Sequence, residues 1–327
     1  MPALAEAGAA VTPLEQITVG PAPMDVAIAK LRHGVALAYV SNYDSDTVSV
    51  IDTRRQKVVD TITVGPSPSP VVATRDGRLV YVGTDSYIAV IDSGAGRVVR
   101  QIGGQDGSFA LAVSPDGRLL YADSGGAGPV TVFDTTTGSV VERIQPSNGS
   151  PGALATSPDG RRLYVGIFNK PFWVDVFDTA SLQLLATVSV PLNPFGITVS
   201  PNGRQLYVAN WGDYSNIIPI AGHSVQVFDT RTLKLLGVVP VGDYPSAIAF
   251  GPNGRYAYVV NNSQPGTVSV VRTRDRQVTD TVNVGVCPTD VAVTPDGHEA
   301  YVTNTGVGAI CQVEENTVSV LSVRMDD

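Results

Sequence analysis

Only two of the 327 residues are cysteine, three are histidine and two are tryptophan, and only 16% carry a charge. Each scarcity removes a class of protein. With so few Cys and His there is no H-E-x-x-H and no C-x-x-C, and the chain also lacks a Walker loop and a G-x-S-x-G elbow, so the chemistries that need those spacings are excluded. Lys and Arg number 22 against 30 Asp and Glu, a formal net charge of -8, and such a surface repels nucleic-acid phosphate: no nucleic acid is expected as a partner. No apolar run approaches the ~18 residues of a membrane-spanning helix. Short alternating strands broken by Pro-Asp-Gly turns do not suit a lipid-facing barrel, so a soluble chain with no membrane insertion is expected.

What is present is a repeat. Tyrosine recurs in a Y-V-x-N-like strand at Tyr39, Tyr81, Tyr121, Tyr164, Tyr207, Tyr258 and Tyr301, at intervals of 40 to 51 residues. Each unit reads V-x-V-G-x-x-P, an apolar stretch closing in S-P-D-G-R, then Y-V-x-N, then T-V-S-V-I-D-T, then V-V-x-T. That is four short strands with turn signals between them and no helical pattern. The period predicts an all-β, seven-bladed β-propeller with four-stranded antiparallel blades. Seven units leave no room for a second domain, so residues 14–327 form one propeller and residues 1–13 a flexible terminus. The inner strands are expected at Val26–Ala29, Val71–Thr74, Leu111–Ser114, Leu154–Ser157, Ile197–Ser200, Ile248–Gly251 and Val291–Thr294. Most end in Asp-Gly or Asn-Gly, whose glycine supplies the positive φ of a tight turn, so these aspartates read as turn chemistry, as do Asp52, Asp92, Asp134, Asp178 and Asp229 after the third strand. The last unit stops after its third strand, whereas Gln16–Val19 matches an outer strand. The N-terminal strand therefore closes the ring and removes its open edge.

These motifs resemble the YVTN family of seven-bladed propellers: Tyr301-Val302-Thr303-Asn304 reproduces the name motif and Tyr207-Val208-Ala209-Asn210 approaches it. The resemblance covers nearly the whole chain and implies the fold, together with a likeness to bacterial and archaeal surface or periplasmic proteins and, more distantly, to lactonase-like enzymes. Departures lie at Lys30–Gly34 in place of the blade 1 P-D-G turn, at Gly166-Ile167 in blade 4 and at Arg272-Thr273 in blade 6.

In a propeller the loops leading into the inner strands share a face with those joining the second and third strands, and there the repeat varies most. The expected ligand-binding residues are Tyr43, Phe172, Trp173, Asn193, Phe195, Asn210, Trp211, Tyr214, Tyr244, Asn261, Asn262 and Asn304, most of them on the long loops of blades 4 to 6. Rings beside amides suit a small organic molecule, a glycan or a peptide, although the same rings also serve to pack long loops. Acid–base candidates are Asp25 and Asp290, which share one repeat position at the mouths of blades 1 and 7, and Asp213 and His223 in the blade 5 insertion, where Asp213 or a carboxylate of a neighbouring blade would partner the histidine. Backbone capping is the alternative role for the aspartates. No metal site is expected, and no cofactor is implied.

Both cysteines fall in blade 7, Cys287 before the inner strand and Cys311 between the second and third, so a disulfide is expected, two free thiols being the alternative. A disulfide points to an oxidising compartment, and Ala3-Leu4-Ala5 looks like the small-residue tail near a leader cleavage site, so a secreted or periplasmic location is expected against a cytoplasmic one. Two functions follow: an extracytoplasmic recognition module, or a hydrolase, lyase or cyclase using the same pocket. A purely structural module is a third.

Overall fold

The computed structural model describes residues 11–30, 34–103, 108–123, 126, 128–213, 220–308, 311–312 and 314–323. Seven four-stranded antiparallel sheets form the ring. Six are built from consecutive strands. The seventh joins Pro288–Val293, Glu299–Asn304 and Thr317–Val323 to the N-terminal strand Val11–Thr18. Ile17 lies opposite Val318 and Thr18 opposite Thr317, in the closing pair read from the incomplete last repeat. That strand starts earlier than Gln16: Val11–Pro13, read from sequence as terminal segment, pair with Val323, Ser322 and Leu321, and Val11 is buried. Among the described residues the single helical turn is Tyr43–Ser45.

The repeated tyrosines explain why the blades stack. All seven are at most 1% exposed, and each packs between its own blade and the next. Tyr39 sits with Val80 and Val82 of blade 2, Tyr164 with Leu206 and Val208 of blade 5, and Tyr301 of blade 7 with Ala38, Val40 and Ile51 of blade 1. The core is thus seven slabs between blades, the last straddling the closure. The hairpins on one face repeat a hydroxyl latch in which Thr74 Oγ1 donates to Asp76 Oδ1 at 2.6 Å, as Ser114 does to Asp116 and Ser157 to Asp159. These bonds hold the three carboxyls below the ordinary aspartate range. Asp52, Asp92, Asp134 and Asp178 each accept two backbone N–H groups, the turn role expected of them.

Candidate functional site at the channel mouth

On the face opposite those hairpins the inner strands of all seven blades enclose a cavity of about 520 Å³. At its wall, across the seam between the first and last blades, stand Asp25 and Asp290. Each carboxyl reaches into the following blade: Asp290 Oδ2 accepts the Val26 N–H at 3.0 Å and Asp25 Oδ2 accepts the Val71 N–H at 3.0 Å. Protein surrounds both, while each keeps part of its surface open to the cavity. Burial raises both carboxyls above the ordinary range, and for Asp25 the negative charge of Asp290 adds to the effect. Their backs are fixed by hydroxyls: Ser41 Oγ accepts the Asp25 N–H and donates to the Ser69 carbonyl, and Thr303 Oγ1 accepts the Asp290 N–H. Capping of backbone N–H groups and a raised affinity for protons therefore coexist in one pair.

A third carboxyl, Asp123, lines the same cavity at 3% exposure. Its Oδ1 accepts the Phe109 and Ala110 N–H groups at 2.7 and 2.8 Å and the Ser108 hydroxyl at 3.1 Å, while Oδ2 has no hydrogen-bond partner. Burial pushes it up to about 6 against those donors. Sequence reasoning passed over it, although a signal exists: the position after Tyr-Val or Tyr-Ala is Ser41, Gly83, Gly166, Ala209, Val260 or Thr303 in the other blades, and only blade 3 puts a carboxyl there.

A file of rings crosses blades 4 to 6. Phe168 stacks on Phe195 at 5.4 Å, Phe195 on Trp211 at 5.1 Å, and Trp211 meets Tyr244 at 5.9 Å with the rings tilted. Phe168 and Phe195 line the cavity, as does Phe109, which is 62% exposed. The structure thus joins Phe195, Trp211 and Tyr244 from the expected set and adds Phe109 and Phe168. Tyr214 lies outside the described residues. Phe172 and Trp173 depart from expectation: Trp173 begins the third strand of blade 4, opposite Ile167, Phe172 directly precedes it, and both pack against blade cores instead of the cavity.

The asparagines also take structural places. Asn210, Asn261 and Asn304 are fully buried, their amides donating to third-strand hydroxyls: Asn304 Nδ2 reaches Thr317 Oγ1 at 3.0 Å and Ser319 Oγ at 2.9 Å, Asn261 reaches Thr267 and Ser269, and Asn210 reaches Ser224. This packing accounts for the glycine of V-x-V-G. A Cβ on Gly285 would stand 2.4 Å from the Asn304 Cγ, and on Gly242 2.7 Å from that of Asn261. Asn262 ties blade 6 to the Pro288 carbonyl, Asn193 accepts the Phe195 and Trp211 N–H groups on its carbonyl, and Tyr43 is a partly exposed turn residue over blade 1.

Asp213 and His223 stand apart. Asp213 is buried against Lys170 Nζ at 2.5 Å, and His223 Nδ1 meets Asp243 Oδ1 at 2.8 Å with both side chains well exposed. The neighbouring blade's carboxylate, not Asp213, partners the histidine. Cys287 and Cys311 form a disulfide with their Cα atoms 6.3 Å apart. No helix among the described residues is long and apolar enough to cross a membrane.

Ring, blades and channel make this a seven-bladed β-propeller. A solved structure of Kuenenia stuttgartiensis hydrazine synthase superposes on 94% of this chain and 97% of that one with a TM-score of 0.81, at 22% identity, a likeness of fold. In sequence, the chain is 28% identical to the seven-bladed β-propeller protein Rv1057 of Mycobacterium tuberculosis over 163 residues, 49% of this chain and 40% of that protein. It is likewise 28% identical to hydrazine synthase subunit β of Kuenenia stuttgartiensis over 228 residues, 57% of this chain and 58% of that subunit. The chain spans less than two thirds of the length of either relative. No protein-family model matches it.

Proposed function

We propose that this propeller, of YVTN type on its Y-V-x-N repeat, is an extracytoplasmic binding module that takes a small organic ligand at the channel mouth, against the ring file of blades 4 to 6. The observation that carries the reading is the file itself. Four rings from three blades are held in stacked or tilted contact, yet Phe195 stays 41% exposed where it borders the cavity. Keeping apolar surface in water forgoes ~25 cal/mol per Å² that a bound ligand would recover, and a cavity of about 520 Å³ falls in the range of small-molecule sites. A sugar ring or a peptide side chain would meet the same flat wall. The disulfide supports an oxidising compartment. Titrating a panel of small aromatic alcohols, amines and monosaccharides against Trp211 fluorescence tests the proposal. Phe195→Ala should weaken whichever probe binds by ~1–3 kcal/mol with an unchanged melting temperature; unchanged affinity would take the site away from the file.

The Asp25–Asp290 pair favours a second reading, a small-molecule hydrolase, lyase or cyclase, because two carboxyls on one cavity wall, both raised above the ordinary range, suit acid–base work. The relative named hydrazine synthase subunit β carries an enzyme's name, which supports keeping this class open for the fold. If it holds, Asp25→Asn and Asp290→Asn lose turnover while keeping substrate affinity. Full turnover in both excludes the pair.

A further inference from the structure

Around the channel mouth, among the described lining residues, every charged group is a carboxyl: Asp25, Asp123 and Asp290; Arg143 shares a separate, smaller pocket with Asp123. The remaining polar groups at the mouth are serine and threonine hydroxyls such as Ser69, Ser150 and Thr289, all able to accept a hydrogen bond. The apolar part of the wall consists of exposed ring faces, Phe109 and Phe195 above all. Asp123 is the unusual member. Three donors hold Oδ1 in place, while Oδ2, on a side chain that is 97% buried by its 3% exposure, is left with no partner. Burying a carboxylate oxygen without a donor is costly, and such a group calls for a partner from outside the chain, a water, an ion or a ligand.

We propose that the ligand of the channel mouth is an organic cation, a protonated amine on an apolar body, whose N–H groups satisfy Asp123 Oδ2 while the ring faces of Phe109, Phe168 and Phe195 receive the rest. The inference rests on the binding reading above and gives it a substrate class. A bare metal ion fits less well, since no three His, Cys, Asp or Glu side chains gather to hold one among the described residues. An ammonium group instead needs one or two carboxylates, hydroxyl acceptors and aromatic faces, which is the donor-poor, acceptor-rich lining found here. With carboxyls as the only charged groups in its lining, the mouth focuses a negative potential toward an approaching cation as they ionise.

Isothermal titration of the whole chain at neutral pH with benzylammonium, benzyl alcohol and benzoate, probes of one shape and three charges, tests the idea. Benzylammonium is expected to bind at least about tenfold more tightly than benzyl alcohol, to weaken with added salt as the alcohol does not, and to lose its advantage in Asp123→Asn. That variant keeps the Oδ1 acceptor for Ser108, Phe109 and Ala110, so its fold is preserved; if it fails to fold, the salt dependence in the unaltered protein decides. Equal affinity for ammonium and alcohol, a salt-independent ammonium affinity, or an advantage that survives Asp123→Asn overturns the proposal. Alcohol binding that disappears in Phe195→Ala without any ammonium preference refutes the cation while leaving the ring-file site standing. Absence of binding by all three probes at millimolar concentration refutes both.

Discussion

Closure of the ring hangs on one strand, and Ile17 is where its contribution is measurable. Ile17 is 7% exposed, lies opposite Val318, and packs with Val26, Val40, Ile51, Val320 and Tyr301, so it touches both blades that meet at the closure. Ile17→Ala removes three carbons from that slab. A fully enclosed site would lose ~2–5 kcal/mol, and an outer strand can relax inward, so about 2–3 kcal/mol is expected. Leu14, on the same strand, is 50% exposed and sits at the bulge between Pro13 and Glu15, so Leu14→Ala should stay within ~0.5 kcal/mol. Urea unfolding followed by fluorescence and by circular dichroism reads both variants, coincidence of the two probes justifying a two-state free energy. Deleting residues 1–18 should do more than Ile17→Ala, because it also bares Thr317–Val323 as an open edge and invites association. If Ile17→Ala and Leu14→Ala both unfold with the midpoint of the unaltered chain, the closing pair is not holding the ring and the argument fails.

The Asp25–Asp290 pair makes stability depend on pH with a definite sign. Both carboxyls titrate above the ordinary aspartate value of 3.8, so the folded state binds more protons than the unfolded one across that window, and stability falls as pH rises through it by ~1.4 kcal/mol for each unit of displacement. Asp25→Asn should flatten that fall and melt higher than the unaltered protein at neutral pH; identical melting curves from acid to neutral pH would contradict the raised titration of the pair. The disulfide closes a 24-residue separation, for which loop entropy gives about 3 kcal/mol. Cys311→Ser should lower stability by that order, and the intact mass before reduction should be two hydrogens lighter than after it; two alkylatable thiols in protein drawn from an oxidising compartment would exclude the bond.

The architecture could be read from the chain because a propeller states its rule seven times. One Tyr-Val pair proves little, but seven at a near-constant interval require the same burial seven times, and the structure places every one of those rings between blades. What the repeat concealed was the direction of packing. Period-two alternation says that Tyr39 points to a buried face; that it meets Val80 and Val82 of the next blade is a property of the stacked ring. The early start of the closing strand at Val11 was concealed in the same way, since Val11-Thr12-Pro13 carries no strand pattern of its own and pairs because Leu321–Val323 offers an edge.

At the site the repeat works in reverse, and the asparagines show how. The recurrence of aspartate in P-D-G argues for turn chemistry, and the same reasoning applies to Asn210, Asn261 and Asn304: a residue kept at one repeat position, with a glycine cleared to make room for it at Asn261 and Asn304, serves the blade before it serves a ligand. Phe172 and Trp173 mislead for a different reason, since Phe168–Trp173 reads as one inserted loop although Trp173 already starts a strand and both rings pack into blade cores. The informative positions are those where one blade breaks what the others keep. Asp25 and Asp290 stand where the remaining blades have Pro70, Phe109, Ala153, Gly196 and Ala247, and Asp123 stands where they have Ser, Gly, Ala, Val or Thr. All three carboxyls line one cavity. A scaffold that needs small or apolar groups at those places tolerates buried charge only at a cost of several kcal/mol per unpaired ion, so the exceptions, more than the conspicuous tryptophans, mark where this ring does something other than hold itself together.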